Sequence, residues 1–110
     1  MKGSNLGELE ELVLLTTAAL VNDAYSVGIC DELAVRTGRK MKLGMVHAVL
    51  NRLEEKKLVK SRLGEATAVR GGKRKRYYVV TSAGKAALLK SKEMRDGLWK
   101  LIPGLNLKTI

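Results

Sequence analysis

The segment Leu43-Gly-Met-Val-His-Ala-Val-Leu-Asn-Arg-Leu-Glu-Glu-Lys-Lys57 is followed directly by Leu58-Val-Lys-Ser-Arg-Leu63 and, after a short connection, by the basic stretch Arg70-Gly-Gly-Lys-Arg-Lys-Arg76. The first segment repeats its apolar residues at the spacing of an amphipathic helix. Leu58–Leu63 and the run Tyr77–Val80, which follows the basic stretch, are rich in residues that suit a pleated strand. The basic stretch is therefore predicted at the tip of a hairpin that follows a helix, which is the arrangement of a winged helix-turn-helix domain.

The positive charge of the chain is concentrated at this hairpin and around it. Five of the seven residues from 70 to 76 are cations, and their mutual repulsion becomes attraction when they displace the counterions condensed on the phosphates of a polyanion. Of the net charge of +10, residues 1–32 contribute −5 (one base, six acids) and residues 33–110 contribute +15 (20 bases, five acids). A well-solvated surface would explain this charge without a partner, but its position on elements that dock on DNA favours a DNA-binding face.

The predicted third helix, Leu43–Lys57, has one apolar face and one face of small residues. The apolar stripe consists of Val46, Val49, Leu50 and Leu53. The opposite face carries Gly44, Ala48 and Asn51, with His47 at its flank. This face is either a poorly formed helix start that is merely exposed, or a slim surface that enters a major groove and lets Asn51 or His47 reach base edges. The adjacent basic hairpin favours the groove.

Two helices are predicted before the third. The first, Leu6–Val21, carries acidic residues in its first turns, where the helix dipole favours negative charge. The second, Val27–Thr37, is capped by Ser26 and stopped by Gly38. The basic connector that follows, Arg39–Lys42, is predicted as a loop, with a single-bridge strand as the alternative.

A fourth helix is predicted from Ser82 to about Leu101, with Thr81 as its cap and Pro103-Gly104 as its end. Its apolar residues are more than one small domain can cover. Three helices, two strands and a helix make an α+β, mainly α, winged helix-turn-helix domain with a C-terminal dimerisation helix. The length suits a single domain over residues 1–110, with the winged helix-turn-helix in 6–80, the dimerisation helix in 81–102 and a tail in 103–110.

The residue types argue against several other functions. One cysteine, Cys30, and one histidine, His47, supply neither a disulfide framework nor a set of metal ligands, so no metal or cofactor is expected. Cys30 is expected as an inert core residue, with redox sensing as the alternative. No acid pair, Ser/His/Asp set or phosphate-cradling glycine loop indicates catalysis. Leu12–Val21 is too short to span a bilayer and lacks the basic flank of a signal peptide, so a cytoplasmic protein without membrane contact is expected.

Several different short motifs follow one another in a characteristic order along the chain. They are Leu6-Gly7-Glu8, Ala24-Tyr25-Ser26-Val27, Leu43-Gly44-Met45-Val46 with Leu50, Arg52-Leu53-Glu54-Glu55-Lys56, Leu58-Val59, Gly64-Glu65, Arg70-Gly71-Gly72, Arg76-Tyr77-Tyr78 and Thr81-Ser82-Ala83-Gly84. Each motif alone is weak evidence for a family, but the order and spacing of all of them together are specific. Over roughly residues 6–98 the sequence resembles the short, single-domain PadR-like transcriptional regulators.

The resemblance implies a homodimeric, repressor-like DNA-binding protein whose first and last helices build the dimer and whose third helix reads DNA. Some short members of this family also bind planar apolar compounds in a pore at the dimer interface. Two positions depart from the usual pattern, since Lys42 stands where a capping Ser is common and His47 where a Tyr is common. The first change weakens the helix cap and adds a cation at the groove entrance. The second removes whatever contact the tyrosine would make.

The candidate DNA-binding residues lie on the second helix, the third helix and the hairpin. They are Tyr25, Ser26, Lys42, Leu43, Gly44, His47, Ala48, Asn51, Arg52, Arg70, Lys73, Arg74, Lys75 and Arg76. The cations are expected to contact phosphates of double-stranded DNA, with a solvated loop as the alternative for the hairpin, and Tyr25 is equally compatible with a core position. In a homodimer, two third helices would enter successive major grooves of a roughly palindromic operator.

The candidate residues of a dimer or ligand interface are Leu9, Leu12, Met94, Leu98, Trp99 and Ile102. Trp99 is expected as an anchor of the dimer interface, with stacking on a planar aromatic ligand or cation as the alternative. Two other functions therefore stay open beside a sequence-specific repressor. One is a ligand-sensing regulator centred on a pore at Trp99, and the other is a winged helix that holds nucleic acid without reading its sequence.

Overall fold

The computed structural model describes residues 6–64 and 74–104. In chain order the elements are α1 (Glu8–Ala19), a short 3-10 helix (Val21–Asp23), α2 (Ser26–Thr37), α3 (Leu43–Glu55), β1 (Val59–Leu63), β2 (Arg76–Val80) and α4 (Ser82–Trp99). The fold is mainly helical with a small antiparallel sheet, as the sequence predicts. Two of the predicted hairpin cations, Arg70 and Lys73, lie outside the described residues.

The core lies where α1, α2 and α3 meet the inner face of the sheet. The apolar stripe predicted for α3 is confirmed, since Val46, Val49, Leu50 and Leu53 are each at most 1% exposed. Aliphatic residues of the other elements complete this core, among them Val13, Leu14, Ile29, Leu33, Leu58 and Val59. Burial of each such side chain contributes about 1.5–3 kcal/mol. This packing fixes the rotation of α3 about its axis, and the opposite face of the helix therefore points to solvent.

Cys30 belongs to this core, as predicted. Its side chain is 8% exposed, and its Sγ lies 3.6 Å from the carbonyl oxygen of Met41. Desolvation raises the pKa of the Cys30 thiol, and the negative charge of Asp31 adds to the rise. Because the thiolate is the reactive form of cysteine, both effects favour an inert residue.

The sheet consists of β1 and β2 in antiparallel register, from Val59 opposite Val80 to Leu63 opposite Arg76. Successive residues of a strand face opposite sides of a sheet. Tyr78 and Val80 are buried on the inner side, whereas Val79 is 41% exposed on the outer side. We call this hairpin the wing.

The wing is also attached to the start of α2. Tyr25 forms an isolated antiparallel bridge with Tyr77, and the Tyr78 N–H donates to the Ala24 carbonyl oxygen at 2.8 Å. Tyr25 thus pairs with the edge of β2 that does not pair with β1. The position of the wing relative to α2 is therefore fixed in the middle of β2.

Two predicted helix ends are confirmed. Gly38 ends α2 in the left-handed region at φ 67°, where its N–H donates to the Ala34 carbonyl oxygen, and glycine adopts this conformation without steric cost. Thr81 caps α4, because its Oγ1 accepts a hydrogen bond of 3.1 Å from the Gly84 N–H.

Several details of the predicted elements are wrong. Ser26 is the first residue of α2 and not its cap, because Tyr25 stays extended (φ −125°, ψ 164°) to form its bridge with Tyr77 and takes the capping position without a side-chain hydrogen bond. The isolated bridge is therefore at Tyr25, and residues 39–42 form none. The helices are also shorter than predicted: α1 spans 8–19, α3 ends at residue 55 and α4 at residue 99. The chain leaves α1 and α3 through residues with positive φ, Val21 (42°) and Lys57 (64°), which cannot continue a right-handed helix.

Helix α4 exposes a long apolar surface. This confirms the prediction that its apolar residues are more than one small domain can cover. Four of its large apolar side chains, Leu89, Met94, Leu98 and Trp99, are between 47% and 59% exposed. Leu101 and Ile102 continue this surface beyond the helix, at 74% and 46%. None of the helices within residues 6–64 and 74–104 has the length and apolarity needed to cross a bilayer.

Candidate nucleic-acid interface

The outward face of α3 is slim and open, as the sequence predicts. Gly44, His47, Ala48 and Asn51 are all exposed, and a Cβ added at Gly44 would have no heavy atom within 4 Å. We call these four residues the recognition face. The first residue of the helix, Leu43, is 40% exposed beside it. The small side chains leave the helix backbone accessible along one side, which is the shape that enters a major groove.

The loop end of the wing, where β2 begins, lies beside this face. Arg74, Lys75 and Arg76 line a cleft of about 490 Å³ together with His47. The other wall of the cleft is formed by the start of α2, with Tyr25, Ser26 and Val27. The structure therefore brings six of the predicted DNA-binding residues together around one basic opening. The second helix, the third helix and the wing meet there, as the sequence predicts.

Tyr25 has a structural role at this opening. Its ring packs edge-on against Tyr77, with ring centroids 5.9 Å apart, and the Lys75 Nζ lies 4.0 Å from the centroid of the Tyr25 ring. Such cation–π contacts are worth about 0.5–1 kcal/mol at an exposed site. Tyr25 is only partly buried, so it is neither a core residue nor a free surface residue. It holds a wing cation at the mouth of the cleft.

Arg76 is directed towards α3. Its Nη1 donates to the Ser61 Oγ at 3.0 Å, and the Ser61 hydroxyl donates to the Glu54 Oε2 at 2.8 Å. These two hydrogen bonds connect β2, β1 and α3. The sequence prediction grouped Arg76 with the other wing cations, and the position of its guanidinium distinguishes it from them.

Arg52 lies on the opposite flank of α3, away from the wing. Its Nε is 3.5 Å from the Glu10 Oε2 of α1. Lys56 contacts the same carboxylate more closely, with its Nζ 3.1 Å from Oε1 and 3.0 Å from Oε2. The predicted phosphate-contacting Arg52 is therefore partly neutralised by Glu10. Lys42 is exposed at the start of α3, where it provides no side-chain cap, as expected for a lysine at this position.

Glu10 links α1 to α3 and to the residue that follows α3, a role that the sequence analysis did not predict. It is 8% exposed, and its Oε1 also accepts a hydrogen bond of 3.1 Å from the Gly7 N–H. Desolvation alone would raise the pKa of Glu10, but the Gly7 N–H, Lys56 and Arg52 together hold it below its ordinary value. A glutamate in the first turn of a helix is a recognisable capping signal. Its partners on α3 are far away in sequence, and only the tertiary structure reveals them.

A second candidate site is an apolar groove of about 500 Å³ between α1 and α4. Its apolar lining is formed by Leu15, Leu88, Leu89 and Trp99. Its rim carries an ion pair of 2.8 Å between the Arg95 Nη2 and the Glu11 Oε1, as well as the carboxylate of Asp96. We call this the α1–α4 groove.

The α1–α4 groove contains only some of the residues predicted for a dimer or ligand interface. Trp99 lines it, and Leu98, Trp99 and Ile102 line a shallow depression of about 170 Å³ beside it. Met94 is exposed on the same helix. Leu9 and Leu12 instead pack against the core, and the α1 residue that lines the groove is Leu15, which is 47% exposed. These three leucines could not be distinguished from the sequence, because α1 is apolar on more than one side.

Comparison with known proteins identifies the family to which this arrangement of helices and wing belongs. The model of the transcriptional regulator PadR-like family matches residues 14–90, which include α2, α3 and the wing. The chain is a member of the PadR-like family. Because PadR-like regulators bind DNA, the protein is a DNA-binding transcriptional regulator.

Relatives and solved structures agree with this family. An uncharacterised protein of Lysinibacillus sphaericus is 37% identical over 84 residues, which are 74% of this chain and 72% of the relative. A PadR family transcription regulator of Clostridium difficile R20291 superposes with a TM-score of 0.61 at 28% identity, covering 83% of this chain and 92% of the other. A PadR-like transcription factor of Bacteroides fragilis has the same fold, with a TM-score of 0.68 at 22% identity over 84% of each chain.

Proposed function

We propose that this PadR-like protein is a homodimeric, cytoplasmic repressor that binds a palindromic operator. Each protomer would insert the recognition face of α3 into a major groove while its wing contacts the flanking backbone. A twofold symmetric dimer presents two such faces, so the operator would contain two inverted half-sites about one helical turn, roughly 34–36 Å, apart. Repression would follow because the bound dimer excludes RNA polymerase from the same DNA.

The observation that carries this proposal is the shared cleft of His47, Arg74, Lys75 and Arg76. It joins an exposed helix face without bulky side chains to a cluster of cations. Phosphate contacts from Arg74 and Lys75 would set the position of the protein on the duplex, and side chains of the helix would read base edges. Among these side chains, Asn51 has the amide geometry that pairs with adenine in the major groove.

The dimeric state is supported by the uncovered surface of α4. Leu98, Trp99 and Ile102 would lose most of their exposed apolar area against a second copy of α4 and α1. At about 25 cal/mol per Å² of buried apolar surface, a symmetric contact of these helices provides a driving force for association. Sedimentation at micromolar concentration should therefore give twice the mass of 12.1 kDa.

The test is selection of binding sites from a pool of duplexes with a randomised centre. An inverted repeat should be enriched, and the selected duplex should bind about a thousandfold or more tightly than its scrambled version at the same salt concentration. If no sequence is enriched and both duplexes bind equally, the protein is a non-specific nucleic-acid-binding winged helix. That result would refute the operator proposal.

A second candidate function, a ligand-sensing regulator, is favoured by the α1–α4 groove. Its volume of about 500 Å³ and its aromatic and aliphatic lining match a site for a planar aromatic molecule. The carboxylates at its rim are paired with cations, Glu11 with Arg95 and Asp96 with Lys92. Since Trp99 is the only tryptophan of the chain, quenching of its fluorescence reports directly on this groove. Saturable quenching by planar cationic dyes, with release of the selected duplex, would support this function, and no quenching across varied aromatic compounds would exclude it.

A further inference from the structure

We propose that Arg76 is a positioning residue that sets the angle between the wing and the recognition helix through Ser61 and Glu54, and is not a phosphate ligand like Arg74. This inference rests on the proposed function. Its basis is the pair of consecutive hydrogen bonds from the Arg76 Nη1 to the Ser61 Oγ, at 3.0 Å, and from the Ser61 hydroxyl to the Glu54 Oε2, at 2.8 Å.

The strand register places Arg76 on the inner side of the wing. Arg76 pairs with Leu63, and Tyr78 pairs with Ser61. Arg76, Tyr78 and Val80 therefore share one side of β2, and the last two are buried against the helices, at 4% and 7% exposure. Arg76 continues this inward-facing row at the point where β2 begins. Its contact with Ser61 is the diagonal contact that a long side chain makes across an antiparallel pair.

The hydrogen bonds have a fixed direction. The serine hydroxyl has one proton, which it gives to Glu54, so its lone pairs are free to accept the proton of Arg76. Glu54 is negative and Arg76 is positive, and hydrogen bonds to charged groups are stronger than neutral ones. The three groups together connect the second half of α3 to both wing strands. Arg76 is exposed, as Arg74 is, but its Nη1 already donates to Ser61, so a guanidinium that moved away onto a phosphate would give up this hydrogen bond.

Arg76 also lies near the first half of α3. It lines the cleft together with His47, and His47 lies seven residues, about two helical turns, before Glu54 on the same flank of α3. Arg76 is thus linked to α3 through Ser61 and borders the same cleft as His47. Together with the bridge of Tyr25 to Tyr77, this contact would keep the wing cations at a constant distance from the recognition face.

The consequence for DNA binding concerns specificity. If the wing is free to tilt, its cations still reach phosphates on any duplex, but they no longer hold the recognition face in register with the bases. Loss of Ser61 or Glu54 should therefore reduce operator affinity and the preference for operator over scrambled duplex. The slope of log affinity against log salt should stay the same, because the number of phosphate contacts does not change.

The experiment compares Ser61→Ala, Glu54→Gln and Arg76→Gln with Arg62→Gln as the matched control. Arg62 lies next to Ser61 on the outer side of β1, where its guanidinium carbon is 5.2 Å from the centroid of the Tyr77 ring, so its replacement removes one cation without touching the chain of hydrogen bonds. We expect the first three variants each to lose about tenfold in operator preference, and the double variant of Glu54→Gln with Arg76→Gln to lose no more than either single one. Arg62→Gln should keep its preference.

The outcome that would overturn the inference is a neutral Glu54→Gln together with an Arg76→Gln variant whose salt slope falls by about one unit, because Arg76 would then be a phosphate ligand. A readout without DNA keeps the test independent of the operator. The Gly64 N–H donates to the Lys75 carbonyl oxygen at 2.7 Å next to Arg76, and its hydrogen exchange should accelerate in Ser61→Ala and Glu54→Gln but not in the control. Unchanged exchange in both variants would also overturn the inference. If the wild-type protein prefers no duplex, the proposed function fails, and Gly64 exchange still decides the role of Arg76.

Discussion

Replacement of Gly84 by alanine is expected to destabilise the protein, because this glycine allows the first turn of α4 to approach the wing. A Cβ at Gly84 would lie 2.2 Å from the Leu58 carbonyl oxygen and 2.7 Å from the Val80 Cγ1. Carbon–oxygen contacts are ordinarily no shorter than about 3.3 Å, so α4 would have to move by about 1 Å. The nearest atom belongs to the backbone, and a change of side-chain rotamer cannot relieve the clash.

The magnitude follows from three contributions. Overpacking costs about 1–3 kcal/mol, and the fixed carbonyl oxygen places Gly84→Ala near the upper limit. Displacement of the Gly84 N–H from the Thr81 Oγ1, now at 3.1 Å, costs about 1 kcal/mol of capping. The higher helix propensity of alanine returns about 1 kcal/mol. The free energy of unfolding should therefore fall by about 2–3 kcal/mol, which lowers Tm by roughly 8–15 °C in a domain of this size.

The assay is thermal and urea unfolding of both proteins at one fixed concentration, because the stability of a dimer depends on concentration. Gly44→Ala is the control, since a Cβ there would have no neighbour within 4 Å, and it should raise stability by a few tenths to about 1 kcal/mol. A Gly84→Ala protein as stable as the wild type would show that α4 does not pack on the Leu58 carbonyl as described.

Four further predictions concern DNA binding and stability. Replacement of both Arg74 and Lys75 by alanine should weaken binding to every duplex and reduce the salt slope by about two units, and an unchanged slope would remove the wing from the interface. Asn51→Ala should relax preference at one base pair at a cost of about 1–3 kcal/mol, whereas a uniform loss on all sequences would leave Asn51 only a positioning role. Because the pKa of Glu10 is lowered in the fold from 4.5, its carboxylate adds stability above that pH, and this contribution is lost as the pH falls through the lowered pKa. Acid titration of unfolding should therefore show a steeper loss for wild type than for Glu10→Gln, and parallel curves would contradict the Glu10–Lys56 contact. Val21→Gly should raise the free energy of unfolding in urea by about 1 kcal/mol, since Val21 adopts a φ of 42° that is costly for a β-branched residue. A lower free energy of unfolding would contradict backbone strain at Val21.

The periodic part of the molecule could be predicted from the sequence. The α3 stripe, the opposite face with Gly44 and Asn51, the stop at Gly38 and the cap at Thr81 each depend on residues close together in the chain. Local spacing determines such features, because the periodicity of apolar residues and helix capping are both defined within one or two turns.

The contacts between elements could not be predicted in this way. Ser26 has the composition of a cap, but the start of α2 is set by Tyr25, which stays extended to reach Tyr77 across the fold. Arg76 is one of five cations between residues 70 and 76, and only the strand register turns it towards Ser61. Leu15 could not be separated from its neighbours on α1 until the position of α4 was known. In each case the partner is distant in sequence, so local propensity carries no information about the contact.

The amide resonances of the labelled protein during titration with the selected duplex test the central claim most directly. If α3 and the wing form one DNA-binding surface, the largest shifts should occur at Gly44, Ala48, Asn51 and Arg74, and the resonance of Leu89 in the α1–α4 groove should stay in place. Shifts confined to α1 and α4, with the resonances of α3 and the wing unmoved, would contradict it.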